Sequence, residues 1–198
     1  GAGVYNDKTG VFNLVSGLIE NNIINTYDDD VPIDLEDYID ENHSLYCGTG
    51  IYNRGTLNAY GGVINDNTTP YWIKSYNLEE WNPMEYISYA GGGLACERGS
   101  KNYIYDCKIT NNVYYAGGGI ANLGGEVTFA KQGAKSGPTI TGNAAQFGGG
   151  ILNGSGYLLD YNLHVDVDKG DSTFNINAGT ISSNIAGVYV RLNDELLL

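Results

Sequence analysis

The chain has 198 residues, 42% of them hydrophobic and 17% charged, with 10 Lys+Arg against 23 Asp+Glu and a formal net charge of -13. That length fits one domain, or one piece of a larger repetitive one, and suffices to bury a core. Gly supplies 29 positions and Asn 23, which excludes a helical bundle because both are poor in helix interiors. The acidity argues against nucleic acid as a partner, and no run reaches the ~20 apolar residues of a membrane-spanning helix.

The chain opens Gly1-Ala2-Gly3, without Met or a charged-then-apolar leader, as expected of a processed or excised piece. The first element is Gly3-Val4-Tyr5-Asn6. The second runs Phe12-Asn13-Leu14-Val15-Ser16-Gly17-Leu18-Ile19-Glu20-Asn21-Asn22. Both read as short strands, with β-branched or aromatic residues alternating with small ones.

Residues 23–46 then interrupt the pattern. They hold eight of the 23 acids, from Asp28, Asp29 and Asp30 to Glu41, and no Lys or Arg. Leu35, Tyr38 and Ile39 fall at helical spacing. The acids read as a solvated face, as carboxylates that hold Ca2+ through Asp28, Asp29 and Asp30, since this hard cation prefers oxygen ligands, or as the source of a catalytic carboxylate pair, for which the sequence shows no cleft.

The first motif returns as Gly50-Ile51-Tyr52-Asn53, and the second as Leu57 through Asn67. A second interruption, 68–89, carries Tyr71, Trp72, Tyr76, Trp81 and Tyr86, including both tryptophans of the chain. Asn77 and Glu80 have capping-box spacing, and Pro83 would end that turn of helix. Large, stiff, amphipathic rings suit two roles, a mini-core anchoring the segment or a platform that stacks on sugar rings or a partner protein.

The pair of motifs recurs as Gly93-Leu94-Ala95-Cys96 with Ile104 through Asn112, and as Gly119-Ile120-Ala121-Asn122 with Pro138 through Asn143. A final pair is Gly150-Ile151-Leu152-Asn153 with Phe174 through Asn184, interrupted by 154–172. Asp166-Val167-Asp168-Lys169-Gly170-Asp171 in that interruption alternates acids but lacks the full EF-hand spacing. Gly187-Val188-Tyr189-Val190 is a decayed sixth copy of the first motif.

Alignment gives an isoleucine column, Ile19, Ile64, Ile109, Ile140 and Ile181, and three residues later an asparagine column, Asn22, Asn67, Asn112, Asn143 and Asn184. A fixed core with variable spacing means one repeated unit with insertions at its loops. The smallest unit, Gly93 to Gly119, is 26 residues. It is too short for a four-stranded propeller blade of ~40–45 residues, and its apolar period of two excludes helical repeats. The fold expected is all-β, a three-sided parallel β-solenoid of about six short coils forming a single domain over 1–198. Like residues would stack ~4.8 Å apart between coils. The asparagines would bond amide to amide at a turn, where Asn also tolerates the left-handed backbone. The glycines would supply positive φ and close coil packing. The first two insertions follow Asn22 and Asn67, so they should leave the same corner of adjacent coils as one lobe.

The three cysteines, Cys47, Cys96 and Cys107, form no disulfide framework and show no metal spacing. They read as buried packing residues, with one disulfide as the alternative. The Gly91-Gly92-Gly93 run and its copies repeat once per coil and carry no following Gly-Lys-Ser/Thr, so they are turn residues rather than phosphate loops.

The alternation of Gly-Gly-Gly-Ile-x-Asn with Phe-Asn-x-x-x-Gly-Thr-Ile-Ser-x-Asn resembles the right-handed parallel β-helix repeats of bacterial surface proteins. These include adhesin-like proteins of gut Firmicutes and methanogens and the chlamydial polymorphic outer-membrane repeats, within the pectate-lyase-like superfold. The resemblance implies a secreted or bacterial cell-surface module that presents a glycan or a host or neighbour-cell protein with a binding face, and it requires no cofactor. Scaffolds of this kind also host polysaccharide lyases and glycoside hydrolases, which makes a small carbohydrate-active enzyme the alternative, and a structural spacer a third. A lyase needs an Arg or Lys base beside an acidic cluster. Arg54 and Arg98 follow adjacent copies of the first motif and are the candidates, each otherwise a solvent-facing charge. His43 and His164 have no Ser or Cys partner in a nucleophile motif.

Overall fold

The computed structural model describes residues 1–23, 48–68, 91–114, 116–154 and 171–187, and the backbone of 189–190 and 196–197. Five coils of three strands follow one another. The first holds β1 (Val4–Asn6), β2 (Val11–Leu14) and β3 (Leu18–Glu20), and the second β4 (Ile51–Asn53), β5 (Thr56–Ala59) and β6 (Val63–Asn65). The third holds β7 (Leu94–Glu97), β8 (Lys101–Ile104) and β9 (Lys108–Thr110). The fourth holds β10 (Ile120–Leu123), β11 (Glu126–Phe129) and β12 (Thr139–Thr141), with the short β13 (Ala144–Ala145) at its end. The fifth holds β14 (Ile151–Gly154), β15 (Thr173–Ile176) and β16 (Thr180–Ser182), with β17 (Ile185–Ala186) at its end.

First strands pair with first strands, second with second and third with third, giving three five-stranded parallel sheets in the orders β1-β4-β7-β10-β14, β2-β5-β8-β11-β15 and β3-β6-β9-β12-β16. We call them the first, second and third sheets. No helix occurs among the described residues. The chain is therefore an all-β parallel solenoid, stacked in the register the motifs predict: Ile19 opposes Ile64, Ile64 opposes Ile109, and Ile140 lies between Ile109 and Ile181.

Alternation along each strand decides which side chains enter the core. In the third sheet Lys108 and Thr110 point out while Ile109 is fully buried. The core is one cluster running the length of the stack, with Ile51, Leu94 and Ile120 from the first sheet, Leu57, Ile104 and Phe129 from the second, and Ile64, Ile109 and Ile140 from the third. Bulk alternates within columns. Ala59 sits between Leu14 and Ile104, and Phe129 meets Phe174 edge to face at 5.0 Å between ring centroids. Part of the first sheet's outer side is apolar as well, where Tyr52, Ala95, Ala121 and Leu123 form a second cluster with Ala116 of the adjoining corner.

Two glycine positions do different work. The residue that opens each first strand must be Gly for space: a Cβ on Gly93 would lie 2.6 Å from the Gly119 carbonyl oxygen of the next coil. Two residues earlier, Gly48, Gly91, Gly117 and Gly148 have φ of 58–80°, a region that penalises any Cβ.

The structure departs from expectation in two ways. The left-handed turn residue is not the ladder asparagine but the one before it: Asn21, Asp66, Asn111 and Ser183 have φ of 51–54°, and Gly142 has 69°. The short polar side chains that tolerate this conformation sit there, which leaves the ladder asparagine in ordinary backbone with its amide free to point along the stack. Among the described residues the sixth copy of the first motif also adds no strand to the first sheet. Β18 (Tyr189–Val190) pairs antiparallel with β19 (Leu196–Leu197) rather than adding to β14. Val190 stands where the other good copies carry Asn or Cys, and only one glycine precedes the strand.

Candidate functional site

The ladder defines the corner between the third and first sheets. Each asparagine amide donates to the side-chain oxygen of the next coil's asparagine, at 2.8 Å (Asn22 to Asn67), 2.8 Å (Asn67 to Asn112), 3.0 Å (Asn112 to Asn143) and 2.9 Å (Asn143 to Asn184). The same oxygen accepts the backbone N–H of the preceding ladder residue. The amide nitrogen also donates back to an isoleucine carbonyl of the coil before, as Asn112 does to Ile64 at 3.0 Å. Asn67, Asn112 and Asn143 are fully buried, and these bonds satisfy the polar groups that burial would otherwise strand.

The residue after each ladder asparagine continues the pairing. Ile23 bridges Thr68, Thr68 bridges Val113, Val113 bridges Ala144, and Ala144 pairs with Ile185. Residues 24–47 and 69–90 thus depart from two directly bridged positions. The chain resumes in the same state: Thr49 N–H donates to the Gly91 oxygen at 3.0 Å and Gly50 N–H to Gly92 at 2.9 Å. In the third coil this corner closes between Val113 and Ala116, which itself bridges Phe147. Residues 155–170 leave instead between the first and second sheets, where Ser172 donates its hydroxyl to the Gly154 oxygen at 2.6 Å. The predicted binding residues Tyr71, Trp72, Tyr76, Trp81 and Tyr86, the predicted metal ligands Asp28, Asp29 and Asp30, and His43, His164 and Cys47 lie outside the described residues.

A second polar group lies on the outer side of the first sheet. Tyr5 and Tyr52 are paired in register, with their rings tilted by 40° and 5.6 Å between centroids. Arg54 donates from Nη1 to the Tyr5 hydroxyl at 3.0 Å and pairs with Asp7 at 3.5 Å, while the Tyr52 hydroxyl donates to Glu97. Arg54 is 6% exposed, against the solvent-facing position expected for it. It is held inward because two tyrosines and two carboxylates surround its head. Continuing the register one step past Asn53 and Cys96 sets Glu97, not Arg98, beside Arg54, and Arg98 is exposed. Burial works against the Arg54 charge, but the Tyr5 hydroxyl, with Tyr52 and Glu97 nearby, holds its pKa above the ordinary arginine value. A general base needs the opposite shift.

Cys96 and Cys107 are buried and free. Burial drives the Cys96 thiol far up, and burial with the Asp106 charge pushes Cys107 up to about 12, so neither is a nucleophile at neutral pH. Cys96 has another role. The first motif places Asn6, Asn53, Asn122 and Asn153 in one column, and Cys96 interrupts it. The next inward column, Phe12, Leu57, Val127 and Phe174, is interrupted by Asn102 at the same coil. The Asn53 amide donates to Asn102 at 2.7 Å, so Asn102 takes over the bond that an Asn at position 96 would have accepted, and the sulfur fills apolar space. Each substitution looks like decay of the motif alone; together they are an exchange, and the only polar residue in the apolar column is the signal that marks it.

Among the described residues no group of three or more His, Cys, Asp or Glu side chains could hold a metal ion, and no helix is long and apolar enough to cross a membrane. The structure defines the chain as an all-β parallel solenoid in which Ile23 and Thr68, the last described residues before 24–47 and 69–90, are bridged. No family model, curated protein or solved structure matches it.

Proposed function

We propose that the chain is a non-catalytic module of a secreted or bacterial cell-surface protein, and that its β-solenoid presents a ligand-binding face. The observation that carries this reading is the rooting of 24–47 and 69–90 at hydrogen-bonded positions of adjacent coils, on a corner braced by the buried asparagine ladder. Binding residues concentrate on loops held by a rigid scaffold, and these two segments carry both tryptophans and the densest run of acids. The coil winds right-handed in this proposal, because crossovers between parallel strands of one sheet are right-handed in almost all proteins.

The ligand is a glycan or a host or neighbour-cell protein, contacted by Tyr71, Trp72, Tyr76, Trp81 and Tyr86, with Ca2+ held by Asp28, Asp29 and Asp30. Glycan and protein arrays probed with the native chain and a Trp72→Ala/Trp81→Ala double variant test it. The expected result is a bound ligand class whose signal falls roughly tenfold or more in the variant, as loss of aromatic anchors produces. No binding by the native chain, or equal binding by both, overturns it. Chelation should lower the melting temperature, and an unchanged midpoint would remove the Ca2+ sites.

A further inference from the structure

The asparagine ladders have a direction, and it leaves the two ends of the solenoid complementary. Each ladder amide donates toward the later coil where one follows, so the first coil ends in an acceptor, whereas the Asn184 amide of the fifth coil turns to the Ile140 and Ser182 carbonyls and leaves its backbone N–H as the open donor. Asn22 Oδ1 has no donor among the described residues, although Asn67, Asn112, Asn143 and Asn184 each accept two hydrogen bonds at that atom. At the other end the Asn184 backbone N–H has no acceptor among the described residues, whereas those of Asn22, Asn67, Asn112 and Asn143 all do. The second ladder runs the same way, Asn6 to Asn53 at 2.6 Å and Asn122 to Asn153 at 2.8 Å.

The core columns are also open at the fifth coil. Ile176 is 55% exposed, Ile181 43% and Ile185 45%, while Ile104, Phe129, Ile109 and Ile140 in the same columns are 0%. The first coil offers the matching residues. Leu14 heads the column of Ile176, Ile19 that of Ile181, and Ile23, 52% exposed, that of Ile185. Among the strand positions that would face each other, one is charged, Glu20, and its counterpart is Ser182.

We propose that copies of this chain stack head to tail, the first coil of one on the fifth coil of another, with sheets, ladders and core columns continuing across the joint. The contact uses two different surfaces, so it does not close on itself and builds an open row. Each added copy would advance the axis by five coils, ~24 Å at the spacing of paired strands, and would repeat the lobe at that interval. A net charge of -13 per copy opposes the assembly, so screening by salt should strengthen it.

Sedimentation velocity on the full chain tests the proposal with two end-blocked variants, Ile23→Glu and Ile185→Glu. The native chain should gain mass with concentration, beyond a dimer and more readily at high salt. Each variant alone should self-associate at least tenfold more weakly. Mixed one to one, they should form a dimer and nothing larger, because each retains the end the other has lost. Leu18→Glu and Thr180→Glu, outward positions of one column, replace any variant whose melting curve shows lost structure. A native chain that stays monomeric at its highest soluble concentration in both salts overturns the proposal, as does association that survives blocking of either end, or a mixture that remains monomeric.

Discussion

Returning Cys96 and Asn102 to the pattern of the neighbouring coils should cost little as a pair and much one at a time. Asn102 is 1% exposed and Asn53 0%. Asn102→Val removes the acceptor of the 2.7 Å bond from Asn53 and two donations, to Ser100 at 3.0 Å and to the Glu126 carbonyl at 3.1 Å. Asn53 keeps its bond to the Gly55 oxygen at 3.2 Å, so the stranding is partial. At about 1–3 kcal/mol for a buried group left unpaired, the loss is about 3 kcal/mol. Cys96→Asn alone forces an amide into the space of a sulfur beside Asn102 and costs about 1–2 kcal/mol by overpacking. The double variant recreates the Asn53/Leu57 and Asn122/Val127 arrangement of the coils on either side. It should lie within about 1 kcal/mol of the native chain, giving a coupling of about 3 kcal/mol, at the upper end for residues in contact. Urea unfolding at constant m-value measures all four corners of the cycle. A double variant as unstable as the sum of the singles would refute the exchange.

The ladder should show a gradient along the stack. Asn112→Ala removes bonds to Ile64 and Asn143 and two donations from Asn67, for a loss of about 3–5 kcal/mol in urea unfolding, while Asn22→Ala at the partly exposed end removes one donation to Asn67 and strands no donor, and should cost about 1–2 kcal/mol; equal losses would contradict the burial argument. Gly93→Ala drives a Cβ to 2.6 Å from the Gly119 oxygen and should cost about 3 kcal/mol, whereas Gly99→Ala, with open space but φ of 76°, should cost only about 1–2 kcal/mol of backbone strain. The buried thiols give a pH dependence. Cys107 rises from 9.0 to about 12, so between those values the unfolded chain has lost a proton that the folded chain retains. Stability contributed by this group is complete below pH 9.0 and falls as pH approaches 12; the urea midpoint should decline through that window, and a flat profile would contradict the burial of the thiol. Alkylation mapped by mass spectrometry at neutral pH should modify Cys96 and Cys107 only after unfolding.

The scaffold was legible in the sequence because stacking forces like onto like. A column of Ile19, Ile64, Ile109, Ile140 and Ile181 survives 31–45-residue spacings only if each residue packs on the next, and the strand register follows from it. What escaped was whatever depends on two columns at once or on one step of backbone. Cys96 and Asn102 lie six positions apart in sequence, and only the turn between the first and second sheets brings their columns together. Arg54 follows the motif as a charge and reads as solvent-facing, yet Tyr5 and Asp7 of the first coil and Glu97 of the third enclose it. The left-handed residue was displaced by one because Asn21, Asn111 and the ladder asparagines are adjacent and chemically alike. The candidate binding residues sit in non-repeating segments, where no column constrains them; the sequence indicates their chemistry, and the described residues indicate where their segments are rooted.

The central structural claim is that the five coils stack in register, one strand spacing apart. Spin labels at Val11→Cys and Thr173→Cys, in a Cys47→Ser background, report it directly. These outward positions of the second sheet are separated by four strand pairings, through Thr56, Lys101 and Glu126. A pulsed dipolar measurement should give one narrow distance near 20 Å, four steps of ~4.8 Å. A broad distribution, or a distance beyond about 30 Å, would mean that the coils do not stack as strand spacing requires.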